Sequence, residues 1–121
     1  MTQNDPVLSM LGLCRRAGKL SVGTQAVTTS IKRKRARLVI VAADISPKTE
    51  KELRYTAKDS ALDILRVRHS LFEVGHAIGI KAGVVSVEDE GFAMAIAKRV
   101  AAQSSASEST NDQREEFAYD D

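Results

Sequence analysis

The stretch SVGTQAVTTSIKRKRARLVIVAAD, residues 21–44, sets the densest positive charge of the chain against its most apolar run. Five of the six residues from Lys32 to Arg37 are basic, and the next six, Leu38 to Ala43, are wholly apolar. A short run rich in β-branched residues is the pattern of a strand buried on both faces. Upstream, Val27 and Ile31 lie four apart, which predicts a helix opening after Gly23. A helix feeding directly into a doubly buried strand predicts an α/β unit.

The same alternation extends in both directions. Asp5-Pro6 reads as a helix cap followed by proline at the first helical position. Val7, Met10, Leu11 and Cys14 follow at helical spacing, and Gly18 marks a stop. Ser46-Pro47 opens another helix, with Leu53 and Ala57 on one face. ALDILRV, residues 61–67, reads as a strand. Ser70 and Glu73 have capping-box spacing and open a helix carrying Leu71, Val74 and Ile78. Gly83 precedes the strand VVSV, and Asp89 caps a last helix with Phe92, Ile96 and Val100 inward. Strands flanked by helices predict a three-layer α/β/α sandwich around a small sheet.

At 121 residues the chain has the length of one domain. Aromatic residues are 4% of it, so the core must be aliphatic. The N-terminus has no signal-like apolar run, and no apolar run approaches the roughly 18 residues of a membrane span. One cysteine excludes an internal disulfide and a multi-cysteine metal site. These features predict a soluble protein of a reducing cytoplasm with no membrane partner. The net charge of +2 conceals an uneven distribution. Residues 1–101 carry 17 basic and 10 acidic side chains, a net of +7, and residues 102–121 carry a net of −5. The expected organisation is a basic domain over 1–101 and an acidic, Ser-rich, disordered tail over 102–121. Within the tail, Phe117 and Tyr119 suit either a short linear motif or an idle end. The basic domain suggests an anionic partner such as RNA, DNA or an acidic membrane.

Catalytic chemistry finds little support. Cys14 falls on the apolar face of the first helix. His69 and His76 are seven apart, without a further metal ligand at a recognised spacing. His76, in VGHAIG, reads as a structural histidine among small residues. Asp44 follows a buried strand, where α/β proteins bind ligands, but a loop or capping role accounts for it. The glycines of GHAIGIKAG match neither a Walker loop nor a dinucleotide fingerprint. No catalytic residue, metal or cofactor is expected. The basic run reads as a solvated helix end, a nuclear-localisation-like patch or a phosphate-binding surface. Gly23 allows close approach of a partner, Thr24 and Gln25 stand at a helix N-terminus that attracts phosphate, and Gln25 can read a base edge.

GKLSVGTQAVTTSIKRKRARLVIVAADISP and RHSLFEVGHAIG together resemble the kink-turn-binding ribosomal protein superfamily. Its members include the large-subunit proteins L-seven-Ae and L-thirty-e and a bacterial branch of YlxQ type, which the chain resembles most. The resemblance spans roughly residues 7–100. It implies an α/β/α sandwich with a four-stranded mixed sheet. It also implies a non-catalytic RNA-binding module for sharply bent RNA with sheared G·A pairs and a flipped-out nucleotide. The family motif at the second helix is Gly-x-Asn-Glu, then Lys and Arg. Gly23 and Thr24 fit it, Gln25 stands for the Asn, Ala26 for the Glu, Thr29 for the Lys, and Arg33 matches the Arg. The resemblance further implies RNA contacts from Lys19, Lys32, Asp44, Arg68, His69 and Ser70, with His69 stacking on a base and Arg68 holding a phosphate. The implied partners are structured RNA of kink-turn type, ribosomal RNA among the candidates, and ribosomal or RNA-processing proteins. A protein-interaction adapter on the same fold is the alternative. A third is the RNA-docking module of an enzyme complex.

Overall fold

A computed structural model describes residues 5–116 of the chain. The elements run α1 Pro6–Arg16, β1 Leu20–Val22, α2 Thr24–Lys32, β2 Leu38–Val41, α3 Pro47–Thr56, β3 Ile64–Arg66, α4 Leu71–Ile78, β4 Val84–Val87 and α5 Glu90–Glu116. Side chains start most of the helices. Asp5 accepts from the Val7 and Leu8 N–H groups, with Pro6 at the head of α1. Ser46 accepts from the Thr49 N–H, and Ser70 and Glu73 form both halves of a capping box. Each cap satisfies backbone donors that the first turn of a helix leaves open.

The strands form one sheet in the order β1-β4-β2-β3. β2 and β3 are parallel, whereas β4 is antiparallel to both β1 and β2. The sheet is therefore mixed, with helices on both faces. All of β2 is buried, and its side chains alternate between two cores. Leu38 and Ile40 join Val7, Leu11, Val74 and Ile96 beneath α1, α4 and α5. Val39 and Val41 join Val27, Ile31 and Leu53 beneath α2 and α3. Burial of each such side chain contributes on the order of 1.5–3 kcal/mol before entropy is counted. This explains why Leu38 to Ala42 had to be apolar throughout, whereas Ala43, beyond β2, is exposed.

The register defines two ends of the sheet. β2 and β3 finish together, with Val41 opposite Arg66. β4 begins at that end and β1 finishes there, because Val84 pairs with Val41 and Val22 with Val85. We call this the upper end. At the lower end β1 and β2 start and β4 finishes, with Leu20 and Leu38 both opposite Val87. Helix α2 connects the two ends. It is 9 residues long, which is about 13 Å at roughly 1.5 Å per residue.

The structure departs from the sequence expectations in three places. The strand expected over 61–67 is ordered as β only over Ile64–Arg66. β1, the fourth strand implied by the resemblance, is three residues at a sheet edge, too short to show periodicity. The boundary expected at residue 101 falls inside α5, which continues to Glu116. Gln103 Nε2 still donates to Asp5 Oδ2 at 3.1 Å, so the packed body reaches past Ala102. Phe117 and Tyr119 lie outside the described residues.

Candidate nucleic-acid interface

The upper end gathers three chain segments. The first is the start of α2. Gly23 caps it at φ 99° and ψ 153°, a conformation essentially restricted to glycine, and supplies no side-chain cap. The Gly23 N–H is tied to the Val84 carbonyl at 2.8 Å, and its own carbonyl accepts from the Val27 N–H. The Thr24, Gln25 and Ala26 N–H groups are thus the open donors of this first turn. All three residues are exposed. The positive end of the helix dipole faces outward there, with polar side chains around it.

The other two segments are the β2–α3 and β3–α4 loops, which are laced together. The Ala43 N–H donates to the His69 carbonyl at 2.7 Å. Asp44 Oδ1 accepts from the Leu71 N–H at 2.8 Å. Arg66 Nη1 reaches the Ala42 and Ala43 carbonyls at 3.1 and 2.7 Å. Arg66 also bonds Glu50, whose other oxygen accepts from Arg54. Hydrogen bonds from Arg54 and Arg66 hold the Glu50 carboxyl below its usual range. This lattice of charge-assisted bonds fixes the upper loops against β2.

The ten residues expected at the site divide between the two ends. Gly23, Thr24, Gln25, Asp44, Arg68, His69 and Ser70 come together at the upper end. Three of these are occupied internally. Asp44 holds α4, and Ser70 Oγ accepts from the Glu73 N–H at 3.1 Å. His69 was expected to stack on a base, but it is only 5% exposed. Its Nε2 donates to Asp5 Oδ2 at 2.8 Å, which binds the loop to the start of α1. Arg68 keeps a mostly exposed side chain, 3.3 Å from the same carboxylate.

His76 was misjudged from sequence, and Phe72 was not singled out. His76, expected among close-packed residues, is exposed and stacks on Phe72 with ring centroids 6.3 Å apart. Phe72 itself is 78% exposed on the second residue of α4, beside the Arg68–Ser70 loop. The helical pattern Leu71, Val74, Ile78 left Phe72 off the apolar face, and that misfit was the available signal. Cys14 behaves as expected of a core residue. It is fully buried, and burial pushes its thiol up to about 11, far from nucleophilic use at neutral pH.

Lys19, Lys32 and Arg33 sit instead at the lower end. Lys19 precedes β1, and its carbonyl accepts from the Glu88 N–H at 2.8 Å. Arg33 caps the C-terminus of α2. Glu88 organises this region from below. Its Oε2 accepts from Ser21 at 2.5 Å and from Ser30 at 2.6 Å, and lies 3.9 Å from Arg35. Burial raises the Glu88 carboxyl, but the two serine hydroxyls and Arg35 outweigh it and leave its pKa below the usual value.

This arrangement has known counterparts. The ribosomal protein L7Ae/L30e/S12e/Gadd45 family model matches residues 5–97. The chain belongs to that family. It is 30% identical over 86 residues to the RNA-binding protein YlxQ of Enterococcus faecium, covering 71% of this chain and 82% of that one. This similarity places it with the YlxQ-type branch. It is 31% identical over 89 residues to the large ribosomal subunit protein eL30 of Candida glabrata, covering 72% of this chain and 85% of that one. Among solved structures, a protein of unknown function from Bacillus halodurans C superposes with a TM-score of 0.75 at 28% identity, covering 80% of this chain and 98% of that one. The Giardia lamblia 15.5kD RNA binding protein superposes with a TM-score of 0.67 at 20% identity, covering 79% and 82%, a likeness of fold.

Proposed function

We propose that this chain is a non-catalytic, cytoplasmic RNA-binding module that takes structured RNA of the kink-turn class, ribosomal RNA among the candidates. The observation that carries the reading is the uncapped start of α2. Gly23 removes the side chain, three N–H donors face out, and Gln25 stands exposed among them. The two laced loops border the same end. Donors at a helix N-terminus suit phosphate, and a carboxamide suits a base edge. Relatives named as RNA-binding and large-subunit ribosomal proteins support the same reading. Ala26 and Thr29 leave this end of α2 without the charged pair of the family motif. Recognition therefore rests more on Gln25 and on the loops. Gel-shift titration of a kinked RNA against a plain duplex at several salt concentrations tests this. Neutralising about four phosphates gives a log–log salt slope of roughly −3 to −4, with the kinked RNA bound more tightly. A flat salt response removes RNA as the partner.

Phe72 takes the role expected of His69. An exposed ring beside an RNA-facing loop is a platform for an unstacked base. Phe72→Ala should weaken the kinked RNA by about 1 kcal/mol, at the low end of base–aromatic stacking. A 2-aminopurine at the unpaired nucleotide should be quenched by the wild type and not by the variant. Equal quenching by both would exclude this platform.

The adapter reading has one observation in its favour. A hollow of about 400 Å³ between α1 and α4 is lined by Leu8, Gly12, Leu13, Arg16 and His76, and Leu13 is 46% exposed.

A further inference from the structure

Helices α1 and α4 meet closely at Gly12. This residue is buried, and a Cβ on it would stand 3.0 Å from the Ala77 carbonyl oxygen. The missing side chain lets the two helices approach and leaves room between them. Buried Leu8 and Gly12, with half-buried Ala77, form the floor of the resulting hollow of about 400 Å³, and exposed Leu13, Arg16 and His76 form its rim. Leu13 lies off the core face of α1, which carries Val7, Leu8, Leu11 and Cys14. A single exposed leucine is ordinary on a protein surface. This one borders a hollow with an apolar floor, and across the rim His76 stacks on Phe72, which is 78% exposed. Leu13, the hollow and the two rings thus form one continuous apolar and aromatic strip along the α1–α4 seam, the kind of exposed patch that marks an interaction site.

The charge on this strip has one sign. Arg16 and His76 line the hollow, and no carboxylate does. A cation in the last turn of α1 complements the helix dipole, which would account for an arginine directed into solvent. The Arg16 side chain instead leans back over the floor, with Nη1 3.7 Å from where a Cβ on Gly12 would stand. It makes no ion pair among the described residues. Neither helix offers it a partner. α1 contains no acidic residue, and the one acidic residue of α4, Glu73, accepts from the Ser70 N–H in the capping box.

We propose that the α1–α4 hollow is a docking site for an acidic amphipathic helix of a protein partner. The partner sets an apolar side chain on the floor beside Leu13 and a carboxylate against the Arg16 guanidinium, whose planar fork suits a carboxylate. A helix laid into a groove with an apolar floor is a recurrent mode of protein recognition. Nucleic acid would meet the arginine but leave the floor unused. The hollow belongs to the layer of α1, α4 and α5, across the sheet from α2 and α3. Its occupant therefore leaves the start of α2 open. This gives the adapter reading a surface and a partner chemistry, and it makes that role compatible with RNA binding instead of an alternative to it.

The test uses the full chain and a display library of short helical peptides, selected on the wild type and counter-selected on Leu13→Asp. Leu13 is half exposed, so the substitution spares the core. Peptides that survive should carry apolar residues at i, i+3 and i+4 with Asp or Glu beside them. Their affinity should fall about tenfold on Leu13→Asp, the loss expected of an interface anchor. Arg16→Glu should select peptides with Lys or Arg in place of the acids, a gain that a misfolded variant cannot produce. Amide shifts on binding should map to α1 and α4. Saturating the wild type with kinked RNA should leave peptide affinity unchanged, and both variants should bind that RNA as the wild type does. Failure to find any peptide that distinguishes the wild type from Leu13→Asp would overturn the proposal, as would distinguishing peptides without acidic residues. A concentration-dependent dimer dissolved by Leu13→Asp would make the occupant a second copy of this chain, against the proposal. Displacement of the peptide by RNA would assign the hollow to the RNA surface and overturn it too. Peptide selection as expected on a chain that ignores kinked RNA would remove the RNA reading and leave this surface standing.

Discussion

Gln25→Ala should weaken binding of a kinked RNA about thirtyfold, near 2 kcal/mol, and change plain-duplex binding little. Contacts to bases carry specificity, whereas contacts to phosphates set position and affinity. Gln25 is the one carboxamide among the exposed residues of the first turn of α2, with a separate donor and acceptor that can pair together with a base edge. Its neighbours Thr24 and Ala26 contribute mainly their backbone N–H groups, which any phosphate can satisfy. Truncation at Gln25 therefore removes readout and spares the dipole and the open donors. Arg33→Ala gives the contrasting result. It lies about 12 Å along the helix, at the lower end, and should weaken both RNAs evenly while lowering the salt slope by about one. Gln25→Asn restores the residue of the family motif and should hold or improve affinity for the kinked RNA. Equal losses on kinked and plain RNA for Gln25→Ala would mean that α2 reads no base, and would favour the adapter reading.

The layered fold was legible in sequence because its signals were local. Pro6 and Pro47 follow capping residues, Ser70 and Glu73 have capping-box spacing, and LVIVA, residues 38–42, is buried throughout. β1 was not legible, because LSV is three residues at a sheet edge and its partner Val85–Val87 is more than sixty residues away. The start of the site was legible for the same local reason: Gly23 before a helix leaves donors open. The division of the site between two ends was not. Lys19 and Gln25 lie six residues apart in the chain, yet β1 runs between them from one end of the sheet to the other. The burial of His69 was not legible because it depends on Asp5, which is distant in sequence. The resemblance implied a base-stacking ring at His69, whereas the structure gives it a largely buried carboxylate partner and leaves the phenyl ring of Phe72 outside.

That carboxylate should be the most sensitive polar position around the Arg68–Ser70 loop. Asp5→Ala should cost about 3 kcal/mol of stability. One part, near 1 kcal/mol, is the lost cap on α1, where Oδ1 accepts from the Val7 and Leu8 N–H groups at 2.9 and 3.1 Å. The larger part is the buried His69 Nε2–H, which would lose its acceptor, and an unsatisfied buried donor costs roughly 1–3 kcal/mol. Gln103 loses the same partner, so α5 loses this hydrogen bond to the start of α1. Asp5→Asn keeps an acceptor for the cap but sets an amide against a ring N–H, so it should fall between wild type and Asp5→Ala. The pH dependence has a definite sign. Burial pushes the Asp5 carboxyl up, but bonds from His69, the Leu8 N–H and Gln103 outweigh it and hold its pKa well below the carboxylate range. Its contribution is therefore complete above the unfolded value of about 3.9 and is lost as pH falls towards the folded value. Urea unfolding of wild type and Asp5→Asn should show a gap that is widest above about pH 5 and narrows towards pH 2. Glu50 and Glu88, also held below their usual values, should leave the variant some acid sensitivity of its own. A gap that does not change with pH would show that the charge on Asp5 contributes nothing. A loss below 1 kcal/mol for Asp5→Ala would show that His69 finds another acceptor. In the expected case the Arg68–Ser70 loop loses its tie to the start of α1, and affinity for kinked RNA should fall at temperatures where the variant is still fully folded.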